Sequence, residues 1–204
     1  MLTLYQQQDS GNCYKPRLLL AHLGLPFSIV NVDANDGSTR APDYLARNPN
    51  GKVPLIEFAD GRRLAESNAI LLHLGEGTAF LPKDAFARAK VYEWLFFEQY
   101  SHEPTIAVRR SLTVYPARRA QANPALMAKL LEDGNRALGV METRLAAGSW
   151  LAGEEFSIAD MALYAYTHMA GEGGFDLSAF PGIAAWLARI AALPDHVAID
   201  WRPA

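Results

Sequence analysis

Hydrophobic and polar positions alternate at the start of the chain and then change to a helical spacing. Alternation of leucine with polar neighbours predicts a strand over residues 1–5. After a polar loop, Asn12 is predicted to cap a helix over residues 13–23. A second alternating segment predicts a strand over residues 27–32, so the opening of the chain has the order of a βαβ unit.

The pattern remains mixed as far as residue 77 and is helical beyond it. Before residue 77 it predicts a short helix over 41–48, strands over 53–58 and 63–65, and a helix over 66–74. Beyond it the predicted helices are a long one over 84–110 bent at Pro104, one after Asn123, one opened by a capping box from Ser157 to Asp160, and one over 182–193. We therefore predict an N-terminal α/β domain over residues 1–77, a linker over 78–82 and an all-helical domain over 83–204.

Composition and charge narrow the function classes. The chain has 204 residues, 50% hydrophobic and 20% charged, with a formal net charge of -3, which argues against nucleic acid as the main partner. No segment is apolar and long enough to span a bilayer, and the single cysteine, Cys13, excludes an internal disulfide framework. We expect a soluble, cytoplasmic protein with no membrane partner. The five histidines are scattered, so we expect no metal site.

Three short segments carry candidate chemistry, and each also has a plain structural interpretation. Ser10 and Asn12 lie where the first strand passes into the first helix, where an anion is stabilised by helix amides, although any polar cap has the same pattern. Pro54 opens a strand and is compatible with a cis or a trans bond. Glu66 and Ser67 at a helix start are suited to an amino-acid zwitterion or to simple capping.

The order and spacing of five motifs resemble those of the glutathione transferases of the cytosolic type, including bacterial members with a serine or asparagine active site. These motifs are SGNCYK (10–15), LGLP (23–26), NPNGKVP (48–54), ESNAIL (66–71) and FSIAD (156–160). The resemblance covers nearly the whole chain. It implies a thioredoxin-like N-terminal domain, an all-α C-terminal domain, a homodimer and glutathione as co-substrate.

The resemblance also implies roles for individual residues. Ser10 matches the position that contacts the glutathione sulfur, and Asn12 is a second candidate there. The implied glutathione-binding residues are Lys52 for the glycyl carboxylate, Val53 and the cis residue Pro54 for the cysteinyl backbone, and Glu66 and Ser67 for the γ-glutamyl end. Ser157 and Asp160 match the capping box of the family, which is a folding element.

The chain departs from the family at other positions. Tyr5 lies within the predicted strand, so it does not match the catalytic tyrosine of the mammalian-type classes, and position 10 carries no cysteine. We expect Cys13 to fill space in the first helical turn, turned away from the ligand. These departures leave the reaction open between conjugation in detoxification, disulfide reduction, isomerisation and glutathione binding without turnover.

A second-substrate pocket is predicted on the long helix. Phe96, Tyr100, Glu103 and Ala107 share one face by their spacing, and Tyr100 and Glu103 are the candidates to line a cleft facing the loop at residues 6–9. Alternatively, Phe96 and Tyr100 are core or dimer contacts. The stretch between Arg109 and Arg119 is interpreted as a solvated basic face in preference to an anion site.

Overall fold

The computed structural model describes residues 1–203, which form two compact units. The first unit consists of residues 1–76 together with residues 194–203, and the second consists of residues 77–193. The sequence prediction assigned all residues from 83 onward to the helical domain. The C-terminal segment instead groups with the first unit, because its backbone accepts hydrogen bonds from side chains there, as described below.

A four-stranded mixed sheet organises the first unit. Its strands are β1 (Leu2–Gln6), β2 (Phe27–Asn31), β3 (Leu55–Glu57) and β4 (Arg63–Ala65), in the order β2-β1-β3-β4. β1 and β2 are parallel, and the other two pairings are antiparallel. The helices are α1 (Gly11–His22), α2 (Pro42–Leu45) and α3 (Ser67–Gly75). The predicted thioredoxin-like order is confirmed.

Helix α1 begins earlier than the sequence pattern predicts. Ser10 is the N-cap and Asn12 is the second helical residue, so the prediction that Asn12 caps the helix is wrong. Pro16 consequently lies in the second turn, where its missing N–H removes a bond to the carbonyl of residue 12. The helix ends as predicted at Gly24, which has φ +61°, and the Leu25 N–H donates to the Leu20 carbonyl at 3.1 Å.

The C-terminal segment is held against β1 and α1 by hydrogen bonds to its backbone. The buried guanidinium of Arg17 donates to the Ile199 carbonyl at 2.5 Å and to the Gln8 carbonyl at 2.9 Å. Tyr14 Oη donates to the Val197 carbonyl at 2.5 Å. Trp201 packs on the core of the first unit, its ring 6.2 Å from that of Phe27 between centroids. The segment therefore completes the first unit and braces the loop between β1 and α1.

The second unit is helical throughout its regular structure. Its helices are α4 (Ala85–Phe97), α5 (Glu103–Val114), α6 (Pro124–Ala147), α7 (Ile158–Thr167) and α8 (Pro181–Ala191). A π-helical turn over Glu98–His102 separates α4 from α5, so the predicted long helix is interrupted before Pro104. Pro104 lies in the first turn of α5, where a missing N–H costs little.

A buried carboxylate joins three parts of the helical unit. Asp160 accepts hydrogen bonds from the Ser157 N–H, the Leu151 N–H and Trp186 Nε1, each at 2.9–3.0 Å. Burial raises the pKa of the Asp160 carboxyl above its usual value, and these hydrogen bonds oppose the rise. The predicted capping box is confirmed, and α7 is buried along its whole length.

Among the helices of residues 1–203, none combines the length and the apolar character needed to cross a membrane. The same described residues hold no cluster of three or more histidine, cysteine, aspartate or glutamate side chains arranged for a metal ion.

Candidate active site

The candidate site lies where the amino ends of α1 and α3 meet. Ser10 and Glu66 are the N-caps of these helices, and neither side chain accepts a hydrogen bond from the first-turn amides. The two ends are linked by a hydrogen bond from Ser67 Oγ to Asn12 Oδ1 of 3.3 Å. Two helix amino ends without side-chain caps give a concentration of partial positive charge, which is suited to an anionic ligand.

Ser10 keeps its hydroxyl outside the capping role. Its carbonyl accepts from the backbone N–H groups of Cys13 at 3.1 Å and Tyr14 at 2.9 Å, and this starts the helix. The side chain is half-buried, as is that of Asn12. Both predicted sulfur-contacting residues therefore lie at the amino end of α1.

Cys13 is turned into the protein, as expected. Its side chain is completely buried, and the Gln7 N–H donates to its Sγ at 3.3 Å. Burial raises the pKa of the Cys13 thiol to about 11, although hydrogen bonds from Gln7 and Ser10 oppose the rise. The thiol is neutral and inaccessible at physiological pH, so it is not suited to be the nucleophile.

The loop before β3 is shaped by hydrogen bonds to one carbonyl. The Lys52 carbonyl accepts from Tyr44 Oη and from Asn48 Nδ2, each at 2.7 Å. Gly51 has φ +60°, and a Cβ there would lie 2.8 Å from the Thr39 carbonyl oxygen, so only glycine fits without displacement. Lys52, Val53 and Pro54 directly follow Gly51 in this loop.

The predicted ligand residues of that loop differ in exposure. The Lys52 side chain is exposed, Val53 is half-buried and Pro54 is buried. The Val53–Pro54 peptide bond is cis, as the resemblance implies. Val53 lies at a bend two residues before β3, and Pro54 separates it from the strand.

Glu66 has an unusual backbone conformation. Its φ of 67° lies in the left-handed region, which costs a non-glycine residue about 1–2 kcal/mol. The side chain is exposed, and Asn50 Nδ2 donates to Glu66 Oε1 at 3.4 Å. This contact brings the two predicted ligand-binding motifs, at residues 48–54 and 66–71, to the same place. A strained residue retained at a helix amino end is typical of a functional position.

Sequence reasoning did not single out Lys15, which lies between the two helix ends. Its side chain is completely buried, and Nζ donates to Ser67 Oγ at 3.2 Å and to Asn68 Oδ1 at 3.3 Å. The available signal was a lysine in the first half of α1, two residues after Cys13 and ahead of the apolar run at residues 18–21. A charged residue there is costly to bury unless it has polar partners elsewhere in the fold.

Tyr100 and Glu103 belong to the helical unit. Tyr100 lies on the π-helical turn with 88% of its surface exposed, and Glu103 opens α5 and is half-buried. Phe96 is 74% exposed, so the alternative that Phe96 and Tyr100 are core residues is wrong. Tyr100 lines a surface hollow of about 370 Å³ with residues of α6, including Lys129, Arg136 and Val140.

The arginine-rich stretch is only in part the solvated face that the sequence suggests, because Arg119 is exposed whereas Arg109, Arg110 and Arg118 bond to acceptors within the helical unit. Arg110 is buried, and its guanidinium lies 2.7 Å from the Glu172 carboxylate. Arg109 Nε donates to the Gly173 carbonyl at 2.6 Å, and Arg118 donates to Ser111 Oγ at 2.6 Å. These side chains bind the helical unit together, because their long stems reach acceptors on neighbouring segments.

Comparisons with known proteins agree with the geometry. Residues 9–76 match the model of the glutathione S-transferase N-terminal domain, and residues 105–194 match that of the glutathione S-transferase C-terminal domain. Glutathione S-transferase 3 of Zea mays is 35% identical over 202 residues, covering 95% of this chain and 90% of the maize protein. The chain therefore belongs to the glutathione S-transferase family, and the predicted fold class is confirmed.

Two other relatives have different names. The disulfide-bond oxidoreductase YfcG of Escherichia coli is 30% identical over 201 residues, covering 95% of this chain and 92% of YfcG. Protein URE2 of Eremothecium gossypii is 27% identical, and the matched region covers 65% of its length. The relatives of this chain thus include both a glutathione S-transferase and a disulfide-bond oxidoreductase by name.

Two solved structures are similar over nearly the whole chain. A glutathione S-transferase from Pseudomonas fluorescens has a TM-score of 0.94 and 49% identity, covering 97% of this chain and 98% of that one. A glutathione transferase family member from the same species, with two glutathione bound, has a TM-score of 0.81 and 26% identity, covering 95% of this chain and 89% of that one.

Proposed function

We propose that the protein is a glutathione transferase that binds glutathione on its first unit and activates the thiol for attack on a small electrophile. The observation that carries the proposal is the pair of helix amino ends without side-chain caps, linked through Ser67 and Asn12. Glutathione bound to a related family member supports the choice of ligand.

The first unit offers complementary groups for each part of the tripeptide. Glu66 and Ser67 are proposed to hold the γ-glutamyl amino and carboxylate groups at the amino end of α3. The backbone of Val53, before Pro54, is proposed to pair with the cysteinyl unit as an added strand does. The exposed Lys52 is proposed to contact the glycyl carboxylate.

Ser10 and Asn12 are the proposed catalytic residues. A free thiol has a pKa of about 8.5, and a helix amino end can lower the value by a unit or more, each unit being about 1.4 kcal/mol. A hydrogen bond from Ser10 or from the Asn12 amide to the sulfur adds about 1.5–3 kcal/mol of preference for the thiolate. The protein then needs no nucleophile of its own, which agrees with the burial of Cys13.

Disulfide reduction is the second candidate, and the YfcG relative favours it. Because Cys13 is buried, the exchange would use two glutathione molecules. The thiolate of the first attacks a disulfide sulfur and releases one substrate thiol. The thiolate of the second attacks the glutathionyl sulfur of the mixed disulfide, which gives oxidised glutathione and releases the other substrate thiol. An isomerase and a non-catalytic glutathione-binding module are the remaining alternatives.

Assays of the native protein and three variants test the activity. We expect turnover of chlorodinitrobenzene with kcat/KM reduced about tenfold or more in Ser10→Ala or Asn12→Ala, since each removes a hydrogen bond to a charged acceptor. The control is Ser149→Ala, an exposed serine of the helical unit. Turnover of hydroxyethyl disulfide alone would favour the reductase. Calorimetric binding of glutathione without turnover of either substrate would favour the non-catalytic glutathione-binding module.

The second-substrate residues and the quaternary structure are proposed together because they involve the same surface. We propose that Tyr100 and Glu103 contact the electrophile and that the protein is a cytoplasmic homodimer. The exposed aromatic side chains of Phe96 and Tyr100 support either use. Light scattering and steady-state kinetics of Phe96→Ala and Tyr100→Ala distinguish a dimer contact from a substrate pocket. Monomer formation indicates a dimer contact, whereas a raised KM for chlorodinitrobenzene in an unchanged oligomer indicates the pocket.

A further inference from the structure

We infer that Lys15 is a positioning residue that acts through Ser67 to fix the amide of Asn12 for the glutathione sulfur. The inference rests on the proposed function and adds a residue that does not itself contact the ligand. Three hydrogen bonds carry it: Lys15 to Ser67 at 3.2 Å, Lys15 to Asn68 at 3.3 Å and Ser67 to Asn12 at 3.3 Å.

The direction of these bonds follows from the chemistry of the groups. A lysine ammonium has three donors and no acceptor, so the Ser67 oxygen must accept from Lys15. The hydroxyl proton of Ser67 is then directed to another acceptor, which is Asn12 Oδ1. Lys15 thereby determines which way the Ser67 hydroxyl points.

The orientation of the Asn12 amide follows from the hydroxyl. Because Oδ1 accepts from Ser67, the opposite side of the amide carries Nδ2 and its two N–H donors. Asn12 is the second residue of α1, so these donors add to the backbone amides at the amino end of the helix. An amide turned the other way would present a carbonyl oxygen to a thiolate and repel it.

Lys15 also holds the second helix end in place. The same ammonium donates to Asn68 Oδ1, and Asn68 is the second residue of α3. One buried cation therefore fixes side chains on both helix ends and adds a unit positive charge beside the proposed anion site. Replacing it should disturb the ionisation of bound glutathione and not only the stability of the fold.

The test measures the pH dependence of kcat/KM for chlorodinitrobenzene, which reports the pKa of the thiol of glutathione on the enzyme. In Lys15→Met we expect the apparent pKa to rise by about one unit, which is about a tenfold loss of kcat/KM below the pKa. Ser67→Ala cuts the same chain of bonds without removing the charge and should also raise the apparent pKa. The matched control is Lys90→Met, whose lysine is paired with Glu93 on an exposed helix surface.

A double-variant comparison separates positioning from a structural role. In an Asn12→Ala background, Lys15→Met and Ser67→Ala should produce little further rise of the apparent pKa, because the amide through which they act is gone. An equal rise in both backgrounds, or no rise in either single variant, overturns the inference. If Lys15→Met does not fold, the same criterion is applied to Ser67→Ala, measured alone and in the Asn12→Ala background.

The failure of the inference is distinguishable from failure of the proposed function. Native protein that binds no glutathione by calorimetry refutes the proposed function and the inference with it. Native protein that binds and turns over normally, with a pH profile insensitive to Lys15 and Ser67, refutes only the inference.

Discussion

The two units treat the amino ends of their helices differently. In the helical unit, Asp84 caps α4 by accepting from backbone N–H groups at 2.9 and 3.1 Å, and Asn123 caps α6 at 2.9 Å. Glu142 accepts from two first-turn amides of α8 at 2.8 and 2.9 Å. In the first unit, neither Ser10 at α1 nor Glu66 at α3 does so.

This difference indicates which helix ends contribute to stability and which are kept for a ligand. A side-chain cap stabilises a helix by about 1 kcal/mol, and α1 and α3 forgo it. Glu66 adds backbone strain at the same place. The helical unit gains stability from its caps, whereas the first unit holds polar groups ready for an anion.

The largest expected effect is a loss of stability in the helical unit, where side chains cap the helix amino ends. Asp160→Ala removes the acceptor of two backbone N–H groups and of the Trp186 indole, so we expect a loss of about 3 kcal/mol in the free energy of unfolding. Denaturant titration measures this change. Ser157→Ala, which removes only the cap hydroxyl, should cost about 1 kcal/mol. Calorimetry should show unchanged glutathione affinity in the folded fraction, and a weakened affinity would contradict the separation of the two roles.

A smaller loss is expected at Gly51, in the loop that carries Lys52. Gly51→Ala introduces a Cβ 2.8 Å from a backbone oxygen at φ +60°, so we expect about 2 kcal/mol of destabilisation and weaker glutathione binding. Gly61→Ala is the control, because φ there is +82° but nothing lies within 4 Å of the new Cβ. Equal effects of both changes on binding would show that the loop does not shape the site.

Glu66 offers a change in which stability and binding move in opposite directions. Glu66→Gly relieves the left-handed strain, so we expect about 1 kcal/mol of added stability, together with glutathione binding weakened about tenfold or more. Glu66→Ala removes the same carboxylate but keeps the strain, so it should weaken binding without stabilising. Thermal melting and calorimetry of the pair measure both quantities. If Glu66→Ala also stabilised the protein, relief of backbone strain would not be the cause of the stabilisation in Glu66→Gly.

The smallest effect at neutral pH is expected for Cys13. Cys13→Ala should retain most activity, because the buried thiol is not the reactive group. Since burial raises the pKa of Cys13 from 9.0 to about 11, the unfolded chain loses this proton first as the pH rises. The stabilising contribution is complete below pH 9 and is lost as the pH rises through about 11. The free energy of unfolding of the native protein should therefore fall more steeply between pH 9 and about 11 than that of Cys13→Ala. Loss of activity in the variant would instead identify Cys13 as the reactive group.

Local patterns were sufficient to predict most of the fold and the capping box. The alternation at β1 and the motif from Ser157 to Asp160 depend on neighbours in sequence, so they are visible without a structure. The N-cap of α1 was misplaced because Ser10 and Asn12 are both good capping residues, and only the backbone distinguishes them.

Long-range partners explain what the sequence did not reveal. Lys15 and Arg17 are completely buried, and their acceptors lie 52 and 182 residues away in the chain, at Ser67 and Ile199. A charged residue in a helix ordinarily marks the exposed face, so its burial becomes visible only when the distant acceptors are placed. The return of the C-terminal segment to the first unit was missed for the same reason.

The hydrogen bond from Arg17 to Ile199 has a consequence for biosynthesis. On the ribosome, the sheet strands and α1 emerge long before residue 199, and the whole helical unit is translated in between. The guanidinium therefore cannot donate to this carbonyl until residue 199 has been translated, and the loop leading to Ser10 reaches its final arrangement only then. A separately produced fragment of residues 1–76 would lack the carbonyl partners of Tyr14 and Arg17 at Val197 and Ile199, so the unit that carries the proposed chemistry is completed only after the helical unit has been translated.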